Sequence, residues 1–187
     1  TPIAPLALMK ALGDTLPPEA VVVDESISSG TGMFHFLRNA PPGSLFGNRG
    51  GGIGWGLPAA VGVQLALPDR PVVAVIGDGS AMYSIQALWT AAHEKLPIIF
   101  VILNNRSYRI LKQRLSATKG IAAQRGRYVG MELSEPAIDF CGLATAMGVA
   151  AVRVETIADF IAALKRGIAG PGPLLIEAAT DATFQPV

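Results

Sequence analysis

Two short, wholly apolar runs and the segment between them constrain the fold of this chain most strongly. Residues 72–76 (VVAVI) and 98–103 (IIFVIL) each have the length of a strand, and the intervening segment is long enough for a crossover helix. Strands that are apolar along their whole length are typical of parallel sheets covered on both faces. The stretch therefore predicts a β-α-β unit in which the two strands are parallel neighbours.

Polar residues follow each of these predicted strands. The first runs into Gly77-Asp78-Gly79-Ser80, and the second into Asn104-Asn105. The carboxyl ends of parallel neighbours lie side by side, where open α/β folds bind ligands. Asp78 and Asn105, 27 positions apart, can therefore approach each other closely. A carboxylate and an amide oxygen suit Mg²⁺, which completes its shell with waters and phosphates.

The rest of the chain continues the alternation of strands and helices. The patterns predict a three-layer α/β/α domain with a mainly parallel sheet of about six strands. Further strands are predicted at residues 20–23, 44–46, 150–154 and 174–178. Helices are predicted at residues 3–15, 57–67, 82–95, 106–115, 137–147 and 157–169, with Met82 and Trp89 in the core, and the stretch at 24–29 is expected to run into a further helix that extends through Leu37. Residues 116–134 form a long basic loop, suited to a lid or to disorder.

Two further loops have compositions that suggest binding. The first loop follows a predicted strand and contains Asp24-Glu25-Ser26 and the serines at 28 and 29. Hydroxyl groups before a helix can bind an anion, so Ser28 could help to form such a site. Alternatively, Ser26 or Ser28 could equally be a helix N-cap. Residues 48–56 (NRGGGIGWG) hold five glycines within seven residues before a helix. Such a loop needs unusual backbone angles or close approach to a ligand, although helix packing could explain some of the glycines.

The remaining chemistry-bearing residues have simpler interpretations. Cys141 is expected to be a small buried hydrophobe, and His35 and His93 structural or solvated groups. Four acidic residues are expected to be caps or exposed charges: Asp139, Glu155, Asp159 and Glu177.

Composition excludes some classes of partner. The net charge is only +1 with scattered basic residues, which argues against nucleic acid. No apolar run reaches the roughly 18 residues of a membrane span, and no targeting segment is visible, so we expect a cytoplasmic protein. Hydrophobic residues are 50% of the chain and charged residues 16%, which suggests a surface buried against another domain or subunit. The first residue is Thr, so we expect a fragment of a longer chain.

Three motifs together resemble a known family. Gly77-Asp78-Gly79, then 24 residues, then Asn104-Asn105 is similar to the signature of thiamine-diphosphate-dependent enzymes. GGIGWGLPAA at 51–60 and Asp24-Glu25-Ser26 support the match. Essentially the whole chain, 1–187, resembles the C-terminal diphosphate-binding domain of the benzoylformate decarboxylase and acetolactate synthase superfamily, most closely the former. The resemblance implies a three-domain protein that uses thiamine diphosphate and Mg²⁺.

The resemblance also implies roles for particular residues. Asp78, Asn105 and the backbone carbonyl of Ser107 would be Mg²⁺ ligands. Ile53 would be the apolar wedge that bends the cofactor into a V shape, and it is the residue nearest to a catalytic role. The residues expected to contact the cofactor are Ser28, Gly51 (through its carbonyl), Ile53, Gly79, Ser80 and Tyr108.

The resemblance further implies what this segment lacks. In the family, the glutamate that protonates the pyrimidine ring comes from a separate N-terminal domain of the same or a neighbouring subunit. We therefore expect a homodimer or tetramer, and a fragment that does not turn over by itself. The expected reaction is decarboxylation or carboligation of a 2-keto acid. The alternatives are an acetolactate synthase with a flavin-type middle domain, or a non-catalytic scaffolding module.

Two features depart from the benzoylformate decarboxylase pattern. Arg106 stands where a small residue is common, and residues 110–114 (ILKQR) replace a more aromatic run. Lys112 or Arg114 could pair with a substrate carboxylate, or both could be exposed helix charges. The aromatic nature of the substrate is therefore an open question.

Overall fold

A six-stranded, wholly parallel sheet forms the centre of the molecule. The computed structural model describes residues 2–30, 32–37 and 40–183. The strands have the spatial order β2-β1-β3-β4-β6-β5, and β3 and β4 pair in register, with Val75 opposite Val101. Their bounds are Val21–Glu25 (β1), Leu45–Gly47 (β2), Val72–Gly77 (β3), Ile98–Asn104 (β4), Ala150–Val154 (β5) and Leu174–Ala179 (β6). The predicted parallel α/β architecture is confirmed.

Helices cover both faces of this sheet. Their bounds are Pro5–Thr15 (α1), Met33–Phe36 (α2), Gly56–Ala66 (α3), Asp78–Ala81 (α4), Ala87–His93 (α5), Arg109–Ala117 (α6), Ile121–Gln124 (α7), Phe140–Ala146 (α8) and Ile157–Ala169 (α9). Successive strand residues point to opposite faces. In β4, Phe100 therefore joins the core under α3, α5 and α8, and Val101 joins the core under α1 and α9. The central strands are buried on both faces, as their unbroken apolar runs indicate.

The helix predicted at 82–95 is wrong in its extent. The chain begins a short helix at Asp78, turns through the following residues, and forms α5 only from Ala87. Met82 and Trp89, predicted to be core, are 40% and 56% exposed. The inner face of α5 is occupied by smaller residues and Leu88, so the Trp89 ring lies outside and stacks on His93 at 4.9 Å.

The helix predicted after β1 is also much shorter than expected. Among the described residues, only Met33–Phe36 are helical, and their N-cap is Gly32 in the left-handed region. Neither Ser26 nor Ser28 is therefore the N-cap of this helix. The Ser26 hydroxyl instead donates to the Asp24 carboxylate, which holds the loop after β1 in a tight turn.

Two other helices, α6 and α8, begin three residues later than predicted. Arg106 has a φ of 57°, so the chain turns before α6 can begin at Arg109. Asp139 caps α8 by accepting from the Gly142 N–H at 2.8 Å, and the helix starts only at Phe140. In the stretch predicted to be a loop at 116–134, Ser116 and Ala117 still belong to α6, Ile121–Gln124 form the one-turn helix α7, and the remainder contains no further helix or strand.

The interpretation of Glu177 as an exposed charge or cap is wrong. This carboxylate is 1% exposed, because β6 lies between β4 and β5 and position 177 points to the sheet face covered by α8. It accepts hydrogen bonds from Asn104 Nδ2 at 2.8 Å and Arg153 Nη1 at 3.3 Å. Cys141, partly buried, points its thiol at the same carboxylate, and burial raises the thiol pKa to about 11.

The other polar residues lie as predicted. His35 and His93 are exposed, as are the carboxylates of Glu155 and Asp159. Within residues 2–30, 32–37 and 40–183, no helix is both long and apolar enough to cross a bilayer.

Candidate functional site

A cavity of about 700 Å³ opens at the carboxyl edge of the sheet. The loops that follow β1, β3 and β4 meet there because these three strands are adjacent in the sheet. The glycine-rich loop before α3 forms a further wall. The cavity is lined by all nine residues that were predicted to contact cofactor or metal: Ser28, Gly51, Ile53, Asp78, Gly79, Ser80, Asn105, Ser107 and Tyr108. Their separate roles stay predictions.

Asp78 is a buried carboxylate with one unused oxygen. Its side chain is at the first position of α4, and the residue is 3% exposed. Oδ1 accepts from the Gly79 N–H at 2.8 Å, whereas Oδ2 has no hydrogen-bond partner among the described residues. Burial raises the pKa of the carboxyl from its ordinary 3.8 to about 6, against the lowering effect of nearby backbone N–H groups. A buried, unpartnered carboxylate oxygen is costly unless a cation meets it.

Asn105 lies beside this carboxylate in the loop after β4. Its Oδ1 accepts from the Ser107 N–H at 2.9 Å, and its Nδ2 lies 3.5 Å from Ser29 Oγ. The Ser107 hydroxyl donates to the carbonyl of Met131, so the end of the long loop braces the loop that carries Asn105. The stretch predicted to be a lid or disorder thus has an anchored C-terminal end.

These donors fit a hard divalent cation. The described part of the chain contains no cluster of three or more His, Cys, Asp or Glu residues that would form a full protein cage. Mg²⁺ is ordinarily held by one or two carboxylates together with waters and substrate phosphates. The unused oxygen of Asp78 and the adjacent Asn105 amide match that kind of incomplete shell.

Sequence reasoning missed Arg109, a buried guanidinium in the same cavity. Arg109 is 8% exposed and is the first residue of α6. It donates to Ser28 Oγ (3.3 Å), Ser29 Oγ (2.9 Å) and the carbonyl of Asp181 (3.1 Å). Burial lowers its pKa, opposed by the charges of Asp181 and Asp78. Its position offered one sequence signal. A basic residue in the first turn of a helix is disfavoured by the helix dipole, so its presence there suggests another role.

Glu25 belongs to the Asp24-Glu25-Ser26 motif, but its role in holding the glycine-rich loop was not predicted from the sequence. This buried carboxylate at the end of β1 accepts from the N–H groups of Gly54 (2.7 Å), Trp55 (3.2 Å) and Gly56 (2.6 Å). It thereby satisfies the first N–H groups of α3, whose N-cap residue makes no side-chain cap. Gly54 has a φ of 93°, which a residue with a side chain rarely adopts. Glu25 thus fixes the loop that carries Ile53.

Two tyrosines cover the site from outside. The Tyr108 ring packs directly over Gly79, so closely that a Cβ on Gly79 would overlap it. Burial raises the pKa of the Tyr108 hydroxyl, and so does its hydrogen bond with Tyr83. Tyr83 in turn lies against Gly54. These contacts link the glycine-rich loop with the loop of Asp78.

The two basic residues considered for substrate binding differ in their surroundings. Lys112 is buried and forms an ion pair with Glu132, so its interpretation as an exposed helix charge is wrong, and its pairing with a substrate carboxylate stays a prediction. Arg114 is exposed at the edge of the cavity. Arg106 is exposed too and lines a different, smaller cavity.

Comparison with known proteins finds a family match over most of the chain. Residues 28–178 match the family described as thiamine pyrophosphate enzyme, C-terminal TPP binding domain. The chain is 38% identical to a benzoylformate decarboxylase from Pseudomonas aeruginosa over 99% of its length, and 42% identical to a putative acetolactate synthase large subunit, IlvX, from Mycobacterium tuberculosis over 89%. It spans 34% and 32% of these relatives, about a third of their length.

Solved structures agree with the sequence comparisons. A thiamine diphosphate-dependent 4-hydroxybenzoylformate decarboxylase from Rhodococcus jostii superposes with a TM-score of 0.86 at 38% identity, covering 100% of this chain and 34% of its own. A benzoylformate decarboxylase from Polynucleobacter necessarius gives 0.89 at 29% identity, covering 100% and 35%. The matched family range includes every residue predicted to contact cofactor or metal.

Proposed function

The chain belongs to the thiamine pyrophosphate enzymes, as their C-terminal TPP binding domain, and we propose that it holds the cofactor diphosphate through Mg²⁺ in a 2-keto-acid decarboxylase or carboligase. One observation carries the proposal. The unpartnered, buried Oδ2 of Asp78 lies in the same cavity as Asn105, Ser28 and Ser80. The carboxylate requires a cation, and the neighbouring groups can donate hydrogen bonds to phosphate. Together they suit a ligand that consists of a metal ion and a diphosphate.

The metal ligands in this proposal are Asp78, Asn105 and the carbonyl of Ser107. Waters and diphosphate oxygens would complete the shell of Mg²⁺. Two contacts of Asp78 favour this assignment. Its Oδ2 has no partner among the described residues, and its Oδ1 is held by the Gly79 N–H. The hydrogen bond from the Ser107 hydroxyl to the Met131 carbonyl would keep the loop after β4 rigid when the metal binds.

The remaining lining residues would orient the cofactor. Ser28, Gly79 and Ser80 would donate to diphosphate oxygens, and the Gly51 carbonyl would accept from the aminopyrimidine. Ile53, on the loop that Glu25 fixes, would support the bent cofactor. Tyr108 would cover Gly79 and exclude water. When bound, thiamine diphosphate supplies the carbanion-stabilising chemistry.

Proton transfer would depend on groups outside this chain. Among the described residues lining the cavity, the buried carboxylates Asp78 and Glu25 are assigned to the metal and to the glycine-rich loop. We therefore propose that an N-terminal pyrimidine-binding domain, of the same or a neighbouring subunit, completes the site in a homodimer or tetramer. The isolated chain would then bind cofactor without turning over substrate.

The mouth of the cavity favours a bulky 2-keto acid. Phe34, Leu111 and Ile27 line it and are 69%, 44% and 48% exposed. Apolar side chains of this size suit an aromatic or branched substituent, and Arg114 at the edge could meet the substrate carboxylate. Decarboxylation of such a substrate is our first choice. The acetolactate synthase alternative is favoured by the relative that is 42% identical.

Calorimetry on the full-length protein tests the cofactor assignment. Thiamine diphosphate should bind in Mg²⁺ but not in EDTA, and Asp78→Ala should abolish the Mg²⁺-dependent part. Asp69→Ala, in an exposed turn, is the matched control. Undiminished binding by Asp78→Ala would contradict the metal assignment.

Assays of the full-length protein with two substrates distinguish the two reactions. Release of CO₂ from benzoylformate without formation of acetolactate from pyruvate would favour the decarboxylase. The reverse result, with a flavin requirement, would favour acetolactate synthase.

A further inference from the structure

Arg109 is a buried charge with only neutral hydrogen-bond partners. Its three acceptors are the hydroxyls of Ser28 and Ser29 and the backbone carbonyl of Asp181. The carboxylate of Asp181 is exposed and instead accepts from Thr183. A guanidinium taken out of water is costly unless an anion compensates for it. The described residues supply no carboxylate within ion-pair distance of Arg109, so this position would suit an anionic ligand.

Resting on the proposed function, we propose that Arg109 is a direct ligand of the cofactor diphosphate and the main protein cation that neutralises it. A diphosphate ester carries about three negative charges near neutral pH. Mg²⁺ bound by the Asp78 carboxylate contributes only one net positive charge. Two negative charges would therefore be left in a poorly solvated cavity, where they are costly.

The other cations around the cavity are less suited to this task. Lys112 is already paired with Glu132, and Arg114 is exposed at the edge. Arg109 lies deeper and contacts Ser28, which is itself a proposed diphosphate donor. Of the cations lining the cavity within the described residues, it is the buried one without an acidic partner.

Arg109 also has donors to spare. A guanidinium has five N–H groups, and the three hydrogen bonds use one on each nitrogen. One N–H on each terminal nitrogen is left for phosphate oxygens, with which arginine forms strong charge-assisted hydrogen bonds. Through Ser29, the same guanidinium is connected to Asn105 of the proposed metal site. Its placement therefore joins the phosphate and metal parts of the cavity.

The competing role for Arg109 is purely structural, tying α6 to the loop after β1. Arg109→Gln separates the two roles, because glutamine can still donate to a serine hydroxyl but carries no charge. In the full-length protein with Mg²⁺, we expect this variant to bind thiamine diphosphate about 10- to 100-fold more weakly. Binding of thiamine, which lacks phosphate, should be unchanged when measured by competition. Arg109→Lys should recover part of the loss, and Arg166→Gln, exposed on α9, is the matched control.

The outcomes separate this inference from the proposed function. If wild-type protein does not bind thiamine diphosphate with Mg²⁺, the proposed function itself is wrong. If wild type binds and Arg109→Gln retains its full preference for thiamine diphosphate over thiamine, the role of Arg109 is structural and the inference is overturned. Should Arg109→Gln not fold, a crystal structure of the wild-type holoenzyme decides. A terminal nitrogen about 3 Å from a phosphate oxygen supports the inference, and a guanidinium without phosphate contact overturns it.

Discussion

Replacing Asp78 with Asn should change the pH dependence of stability in the metal-free protein. The carboxyl is 3% exposed and one of its oxygens has no partner in the described part of the chain. The folded state therefore favours the protonated form. Asn has nearly the same shape and cannot ionise, so the difference between the two proteins isolates the charge of this one group.

The expected magnitude follows from the shift in pKa. Burial raises the pKa of Asp78 from 3.8 to about 6, and each unit corresponds to about 1.4 kcal/mol. The ionised group therefore destabilises the folded state by about 3 kcal/mol well above pH 6, and by almost nothing well below pH 3.8, where it is protonated in both states. Protonated Asp78 therefore favours the folded state at low pH, and this contribution to the free energy of unfolding is lost as the pH rises from 3.8 to about 6 and above. The cost of burying the Asn amide is independent of pH and cancels in the comparison.

Urea unfolding in EDTA at about pH 4 and about pH 7 measures this effect. The free energy of unfolding of Asp78→Asn, relative to wild type, should rise by about 2.5 kcal/mol between the two conditions, because at the lower pH the carboxyl is already partly ionised in the unfolded state. Asp69→Asn, in an exposed turn, should show no such change. If the difference in free energy of unfolding between Asp78→Asn and wild type did not change with pH, the predicted cost of the buried charge would be refuted. With Mg²⁺ and thiamine diphosphate added, only wild type should gain stability, because ligands stabilise the state that binds them.

Three other substitutions test the surrounding structure. Glu25→Ala should lower the free energy of unfolding by about 3 kcal/mol or more, since it leaves three N–H groups unpaired; unchanged thermal unfolding would contradict this. Gly79→Ala should weaken cofactor binding in calorimetry, because the new Cβ overlaps the Tyr108 ring, and wild-type affinity would count against that contact. Glu177→Ala should destabilise by about 1–3 kcal/mol, since it leaves the buried amide of Asn104 without its acceptor, whereas Arg153 keeps its ion pair with Glu155; a urea midpoint equal to wild type would argue otherwise.

The sheet, and the meeting of the Asp78 and Asn105 segments at one edge of it, were predictable because their signals are local. β3 and β4 are apolar along their whole length, which indicates burial on both faces. Parallel neighbours then require that Asp78 and Asn105 lie at one edge. The positions of Asp78 and Asn105 at this edge therefore follow from local sequence, without knowledge of distant contacts.

The missed residues have partners that are remote in sequence. Arg109 and Ser29 are 80 positions apart, Asn104 and Glu177 are 73 apart, and Glu25 lies 31 positions from Gly56. A buried ionised group appears in the sequence as an ordinary surface charge until the fold supplies its partner. Only the three-dimensional contacts therefore distinguish these residues from solvated ones.

The break in the helix predicted at 82–95 has a similar cause. Its periodicity was compatible with one continuous helix, but the chain forms α4 and then turns before α5. The early start of α4 places Asp78 in its first turn beside Asn105. The packing of the site thus overrides local periodicity, and Met82 and Trp89 become exposed.

The most direct test of the proposed cofactor site is the position of the metal. Crystals of the full-length protein with thiamine diphosphate and Mn²⁺ in place of Mg²⁺ would show the ion by its anomalous scattering. We expect one peak bonded to Asp78 Oδ2, Asn105 Oδ1 and the carbonyl of Ser107, with the cofactor diphosphate completing the shell at about 2.1 Å. A peak away from Asp78 and Asn105, or cofactor bound there without metal, would contradict the account.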